Sequence, residues 1–360
     1  MLLILTFFTL FLLLATLLPL SRQTHWFIRG FDFPRLQFAL LAIVVLISSV
    51  IVLDLHMLLS QALIVTCALC LAWQLWWILP YTLLWPKEVK AAGHTDVSKQ
   101  LTILTSNVLT PNRNAGALIA LVKQYQPDVL VTLESDQWWE DELTVLESEM
   151  PYSVKCPLDN LYGMHVFSRL PLTEREVCYF IEDDVPSIDV LVELRCKETV
   201  RMHCLHPAPP SPTENAESAE RDAELVIVAQ SIADTEQPVI VTGDLNDVAW
   251  SATTRLFRKI SGLLDPRVGR GMFNTFHADY PFVRWPLDHL FHSRHFTLQA
   301  IQRLPSIGSD HFPLLTTLCF TPKKGASQQA IQADRSEHEW AKQISGSKQV
   351  NKHDVPKPGA

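Results

Sequence analysis

The chain has 360 residues, 48% of them hydrophobic and 19% charged, with 30 Lys and Arg against 38 Asp and Glu for a formal charge of −8. Twelve Gly and 23 Pro exclude a collagen-like or Gly-rich low-complexity chain, and the length suits one ordinary domain with additions or two small ones. Apolar residues concentrate before residue 90, which excludes a wholly soluble protein, and the polar remainder excludes a carrier that fills the chain with spans.

Three apolar runs cover residues 2–20, 36–53 and 57–79, and none contains an internal charge. At 1.5 Å per residue each is long enough to cross a hydrocarbon core of roughly 30 Å. The first lacks the basic stretch of a cleaved leader and is longer than a usual leader core, so it reads as a span. Trp73, Trp76, Trp77, Tyr81 and Trp85 cluster at the end of the third run, as interfacial aromatics do. Arg22, Arg29 and Arg35 follow the first run and Lys87 and Lys90 follow the third, whereas residues 54–56 carry no Lys or Arg. With three spans, both basic segments fall on one side. The expectation is a multi-pass inner or plasma membrane protein with its N-terminus outside and its C-terminal domain cytoplasmic.

The domains expected are a membrane region at 1–86, a polar linker at 87–100, a catalytic domain at 101–321 and a disordered tail at 322–360, with one weak helix near 328–344. Seven Cys, an odd number without close CxxC spacing in the domain, argue against a disulfide framework and a structural zinc site, and mildly favour a reducing compartment.

Within 101–321 the pattern alternates. Strand-like runs are expected at 101–106, 129–133, 164–168, 190–194, 200–205, 238–242, 287–291 and 314–319, and helices at 115–125 and 214–234. Apolar strands end repeatedly in polar, reactive residues: Asn107, Glu134, His206, Asp244 with Asn246, Asp288, and Asp310 with His311. Strand ends present side chains to a common edge, where α/β proteins build sites. Carboxylates and an amide suit Mg²⁺, with Mn²⁺ the alternative. A hard cation beside two imidazoles points to phosphoester hydrolysis, with an Asp holding one imidazole in its productive tautomer. Taken singly, a Glu after a strand is a cap and a Gly-Asp is a turn; the ordered set is what carries the reading.

That ordered set resembles the endonuclease/exonuclease/phosphatase superfamily, which includes deoxyribonuclease I, exonuclease III, neutral sphingomyelinases and inositol-polyphosphate 5-phosphatases. The matching segments are Thr105-Ser106-Asn107-Val108, Leu133-Glu134-Ser135, Tyr162-Gly163 through Phe167-Ser168-Arg169-Leu170-Pro171-Leu172, Leu205-His206-Pro207-Ala208-Pro209, Gly243-Asp244-Leu245-Asn246, Leu287-Asp288-His289-Leu290-Phe291 and Gly308-Ser309-Asp310-His311-Phe312-Pro313. The resemblance implies a four-layer α/β sandwich of two sheets, here preceded by three transmembrane helices. It implies metal-site roles for Asn107, Glu134 and Asp310, with Glu134 the direct ligand. It implies that Asp244 and Asn246 orient the nucleophile and bind the scissile phosphate, that His311 is the catalytic imidazole with Asp288 its partner, and that His206 binds phosphate or protonates the leaving group. His165, Tyr162, His289 and Arg169 read more simply as structural residues.

Two substrate classes stay open, nucleic acid and phospholipid or small phosphoesters; a non-catalytic membrane scaffold is a third reading. The membrane is the one partner expected, and no obligate protein partner is inferred. The nuclease reading comes first, yet residues 91–321 hold 18 Lys and Arg against 31 Asp and Glu, a net −13, where polyanion binding wants a basic footprint. A local excess of +5 in residues 251–304 either faces substrate phosphates or is a solvated face. Trp138-Trp139 either stacks on a base, rests at a lipid interface or packs in a helix core.

Overall fold

The computed structural model describes residues 1–93, 96–233 and 235–356. Three N-terminal helical stretches, Leu2–Ser21, Arg35–Val52 and Leu58–Tyr81, are long and apolar enough to cross a membrane. They pack together around Leu12, Ala42, Val45 and Cys67. Gln74 is a buried polar residue of this bundle; its amide donates to Thr16 Oγ1 at 3.0 Å and its carbonyl accepts from Arg35 at 3.2 Å, so burial leaves neither group unpaired. The segment after the first helix, the start of the second and the end of the third all meet the domain, through Thr24 with Glu217, Gln37 with the Phe282 carbonyl and Ile78 in one apolar cluster with Trp250.

Beyond them, eleven strands among the described residues form two sheets. The first has the order β10-β11-β1-β2-β4-β3, built from Phe296–Arg303, Leu314–Phe320, Gln100–Asn107, Val129–Leu133, Met164–Ser168 and Tyr152–Cys156. The second has the order β5-β6-β7-β8-β9, built from Leu172–Cys178, Ser187–Glu193, Thr199–Leu205, Val239–Asp244 and Asp288–His292. Side chains alternate across each strand, and both faces of both sheets are covered. Leu101, Ile103, Val129, Val131, Ile240 and Leu290 fill the space between the sheets. Leu104, Leu130 and Phe167 point the other way, under helices Ala115–Tyr125 and Gln137–Leu143. Val239, Val241 and Phe291 do likewise under helices Ala219–Ile232 and Ala252–Ser261. The result is the four-layer sandwich expected.

The same alternation aims the site. Counting by twos from Leu101 and Ile103 brings Asn107 to the inner face at the end of β1, and counting from Ile240 brings Asp244 to the inner face at the end of β8. Thr105 and Thr242 meet between the sheets at 2.8 Å, one step behind them. Gly243 lets the end of β8 seat against β7: at φ +144°, a Cβ there would lie 1.9 Å from the Leu205 carbonyl oxygen. Gly243→Ala is expected to cost about 3 kcal/mol through strain and overpacking, read as a lowered melting temperature of the detergent-solubilised chain.

Several expectations shift. Trp139 is fully buried and Trp138 lies beneath the Arg113 guanidinium at 4.8 Å, so the pair belongs to the helix core and not to a stacking or lipid surface. The helix expected at 214–234 begins at Ala219; residue 234 lies outside the described residues. The preceding backbone is taken by another partner, with Trp26 N donating to Ala216 O and Ser218 N to Thr24 O. The linker is not free where described: Val89 is buried and Ala91 bridges to Leu298 on the edge strand β10; residues 94–95 lie outside the description. The tail, expected to be disordered but for one weak helix near 328–344, carries a helix at Arg335–Ser347 opened by an Asp334–Glu337 capping box. Its short apolar stripe of Trp340, Ala341 and Ile344 packs on helix Ala219–Ile232 and its neighbours, and Trp340 also lies 4.4 Å from the Arg22 guanidinium. Residues 357–360 are not described.

Candidate active site

Every strand-end residue singled out in the sequence lies at one end of the two sheets. Asn107 donates to Glu134 Oε1 at 2.7 Å and to Asp244 Oδ2 at 3.2 Å. Asp244 Oδ2 stands 3.4 Å from His311 Nε2, and His311 Nδ1 donates to Asp288 Oδ2 at 2.8 Å. One chain of contacts thus runs Glu134–Asn107–Asp244–His311–Asp288. Asp244 Oδ1 also accepts from the Asn246 backbone N–H at 2.9 Å, and the Asn246 amide donates to the Pro207 carbonyl at 3.0 Å. Asp310 stands beside His311, and Ser309 Oγ ties this turn to the Asn107 carbonyl at 2.9 Å. His206 lies against Tyr162, ring centroids 5.4 Å apart.

Glu134, His206, Asp244, Asn246, Asp310 and His311 line a cleft of about 430 Å³. Glu134 and Asn246 hold positive φ, +58° and +51°, a backbone conformation that costs free energy in non-Gly residues and turns each chain sharply at the site.

Burial raises the Glu134 carboxyl to about 7, against the hydrogen bond from Asn107 and the charge of His311; Asp310 and Asp244 push it the same way as burial. Burial also disfavours a charged His311, but Asp288, Asp244 and Asp310 outweigh it and raise that imidazole to about 10. His206 has gone the other way, lowered to about 4, because burial dominates. At neutral pH the site therefore holds one imidazolium and one neutral imidazole.

The donor set fits a hard divalent cation. Glu134 Oε2 and Asp288 Oδ1 are buried and accept no hydrogen bond, and Asp244, Asp288 and His311 converge within 4.8 Å. His311 Nδ1 is already engaged by Asp288, so that trio reads as a hydrogen-bonded relay. The unsatisfied oxygen of Glu134, which faces the cleft, is the better ligand.

A sequence description of the Endonuclease/Exonuclease/phosphatase family matches residues 104–311, more than half of the chain. The chain belongs to that family. No curated protein matches it. Among solved structures, it is similar to an endonuclease/exonuclease/phosphatase from Beutenbergia cavernae, 16% identical with TM-score 0.51, covering 62% of this chain and 72% of that one. It is equally similar to the human Nocturnin catalytic domain, 16% identical with TM-score 0.51, covering 63% of this chain and 97% of that one. D. rerio TDP2 complexed with a single-strand DNA product is 18% identical with TM-score 0.51, covering 61% and 98%. These likenesses are of fold.

Residues given structural readings in the sequence divide. His165 points to the outer face of its sheet, where Nδ1 meets Ser135 Oγ at 2.5 Å. His289 is tied to the Asp247 carbonyl at 2.9 Å and to Arg267, away from the cleft. Arg169 pairs with Glu149 at 2.8 Å. Tyr162, in contrast, lines the cleft, its hydroxyl bonded to Glu214. Sequence reasoning missed Glu214, Phe276 and above all Phe33, which reaches the cleft from between the first two apolar helices. Nothing local to Phe33 signals this, because its partners are remote in the chain.

Burial lowers His165 to about 4. Its unfolded value near 6.5 is higher, so the unfolded chain binds the extra proton; the stability it contributes is whole above 6.5 and is lost as pH falls toward 4. His165→Gln is therefore expected to show a shallower acid loss of melting temperature across that window than the parent chain.

Proposed function

We propose that this protein is a membrane-anchored, divalent-metal-dependent phosphoester hydrolase, its catalytic domain facing the cytoplasm. The observation that carries it is the unbroken contact chain from Glu134 to Asp288, at the floor of a cleft in a family of phosphoester hydrolases. Glu134, with Asn107 and Asp310 beside it, would hold Mg²⁺ or Mn²⁺, which supplies charge neutralisation of phosphate oxygens. Asp244, anchored by Asn107 and the Asn246 N–H, accepts the proton of the attacking water and is steered by Asn246. His311, kept protonated by Asp288 and Asp244, presents positive charge to the phosphate. His206, neutral and with Nδ1 unpartnered, hydrogen-bonds a phosphate oxygen or the leaving group.

The charge pattern bears on substrate. No Lys or Arg lines the cleft among the described residues. Four of the eight basic residues of 251–304 are paired with carboxylates outside the cleft: Arg258 with Glu88, Lys259 with Glu337, Arg267 with Asp265, Arg294 with Glu236. That supports a lipid or small phosphoester over long nucleic acid, whose binding rests on phosphate contacts by Lys and Arg. The test is hydrolysis of bis-p-nitrophenyl phosphate and nicking of supercoiled plasmid by the full-length chain in detergent with Mg²⁺, beside Asp244→Ala and an EDTA control. Metal-dependent hydrolysis of the ester, abolished in Asp244→Ala, is expected; turnover unaffected by either control overturns the assignment.

A further inference from the structure

The membrane region builds part of the active site. Phe33 is two residues before the second apolar helix, yet it lines the catalytic cleft. From it an aromatic row runs inward: Phe33 meets Trp285 edge-on at 5.5 Å, Trp285 stacks on Phe276 at 6.2 Å, and Phe276 lies 4.9 Å from the His311 ring. The segment is held rigidly. Arg29 pairs with Asp222 at 3.1 Å, Arg35 with Asp32 at 2.5 Å, and Trp250 Nε1 donates to the Asp32 carbonyl at 2.9 Å. Arg221, bonded to the same Asp222, donates to the Asn246 carbonyl at 2.7 Å, so this buried network ends on the cleft itself.

A second edge of the cleft also meets the apolar helices. In the 277–284 loop, Ala278 N donates to the Asp310 carbonyl at 2.6 Å, while the Phe282 carbonyl accepts from Gln37, in the first turn of the second apolar helix, at 2.9 Å. The tip is bare: Phe282 is 88% exposed, and Tyr280 and Val283 are also exposed. Leu83 and Leu84, just past the third apolar helix, are similarly bare. Exposed apolar side chains on segments joined to helix ends at the domain side mark a bilayer interface.

We propose that the substrate is a membrane-resident phosphoester lipid, which reaches the metal site sideways from the bilayer between Phe33 and the 277–284 loop. This rests on the phosphoester-hydrolase reading above. The cleft suits such a molecule: apolar walls for an acyl or similar chain, no Lys or Arg lining it among the described residues, and the His311 ring with the metal residues for a single phosphate. Phe282, seated in the interface, keeps the cleft mouth open to lipid rather than to water.

The test reconstitutes the full-length chain in phosphatidylcholine vesicles carrying phosphatidylglycerol or phosphatidic acid, with Mg²⁺. Release of headgroup or inorganic phosphate is measured beside hydrolysis of dissolved bis-p-nitrophenyl phosphate and nicking of plasmid. Phe282→Asp is expected to leave the dissolved ester unaffected and to lower lipid turnover roughly tenfold, with Phe282→Trp restoring it. Hydrolysis of the dissolved ester without lipid turnover, faster action on plasmid, or equal loss on ester and lipid in Phe282→Asp overturns the lipid proposal alone. Absence of hydrolysis on all substrates overturns the phosphoester reading with it.

Discussion

Asp288→Asn is expected to lower kcat about a thousandfold, some 4 kcal/mol of barrier, while the protein stays folded. Asp288 is fully buried, at the inner end of β9, and its Oδ2 accepts from His311 Nδ1 at 2.8 Å. An amide of the same shape fills the space, but it lacks the charge that favours the imidazolium, and its NH₂ opposes the present proton arrangement. His311 would then turn away from Asp244, now 3.4 Å from Nε2, or lose its proton near neutral pH. The sign is testable apart from the rate. With Asp288 present, His311 stays charged up to about 10. Removing the carboxylate leaves burial less opposed, so the imidazole pKa falls and the alkaline limb of the pH–rate profile moves toward neutrality. A profile unchanged in shape would mean that His311 does not act as an imidazolium. His311→Ala, which removes the imidazole and leaves Asp288 without its partner, is expected to exceed the loss in Asp288→Asn by no more than a small factor if the two act as a unit.

How much of this was legible in sequence depends on where the information sits. Inner strands of the sandwich, covered on both faces, read as apolar runs: Val129–Leu133 and Val239–Asp244 came out within a residue or two. Three sheet-edge strands did not come out, Tyr152–Cys156, Leu172–Cys178 and Phe296–Arg303. Leu172–Cys178 explains why: four of its residues, Thr173 through Glu176, are exposed polar side chains, as sheet edges require to resist pairing with other chains. The cleft's polar residues were legible because each stands beside one end of an apolar strand: Asn107, Glu134, His206, Asp244 and Asn246 close or follow a strand, whereas Asp288, Asp310 and His311 open or precede one, and the sandwich gathers these ends. Phe33 and the Arg29–Asp222 pair were not, because they arise where the segment between two apolar helices docks on the domain, and no periodicity encodes that docking. The tail helix sat between: its capping box was in the sequence, but its apolar stripe is too short to announce a packed helix without its partner.

The second large effect concerns the cation. Affinity for Mn²⁺, as a probe of the Mg²⁺ site, is expected to rise about tenfold per pH unit below 7 and to level off above it. Burial has raised Glu134 to about 7, so below that value the cation must displace a proton, and above it the carboxylate is already free. Glu134 Oε2 accepts nothing, while Oε1 is held by the Asn107 amide at 2.7 Å, so the side chain is aimed before the ion arrives. A divalent charge beside Glu134, Asp244 and Asp310 then cancels the repulsion that helps hold the carboxyl protonated. Glu134→Gln keeps the shape and the Asn107 neighbour but removes the ligand charge; Mn²⁺ binding should weaken roughly a hundredfold and lose its dependence on pH near 7. Calorimetric titration of the full-length chain in two buffers of different ionisation enthalpy would count the proton released. Close to one proton per ion at pH 6, falling to about half a proton at pH 7 and absent in Glu134→Gln, assigns the ligand. Release that survives the substitution would move the site to the Asp244–Asp288–His311 trio, whose atoms already lie within 4.8 Å of one another.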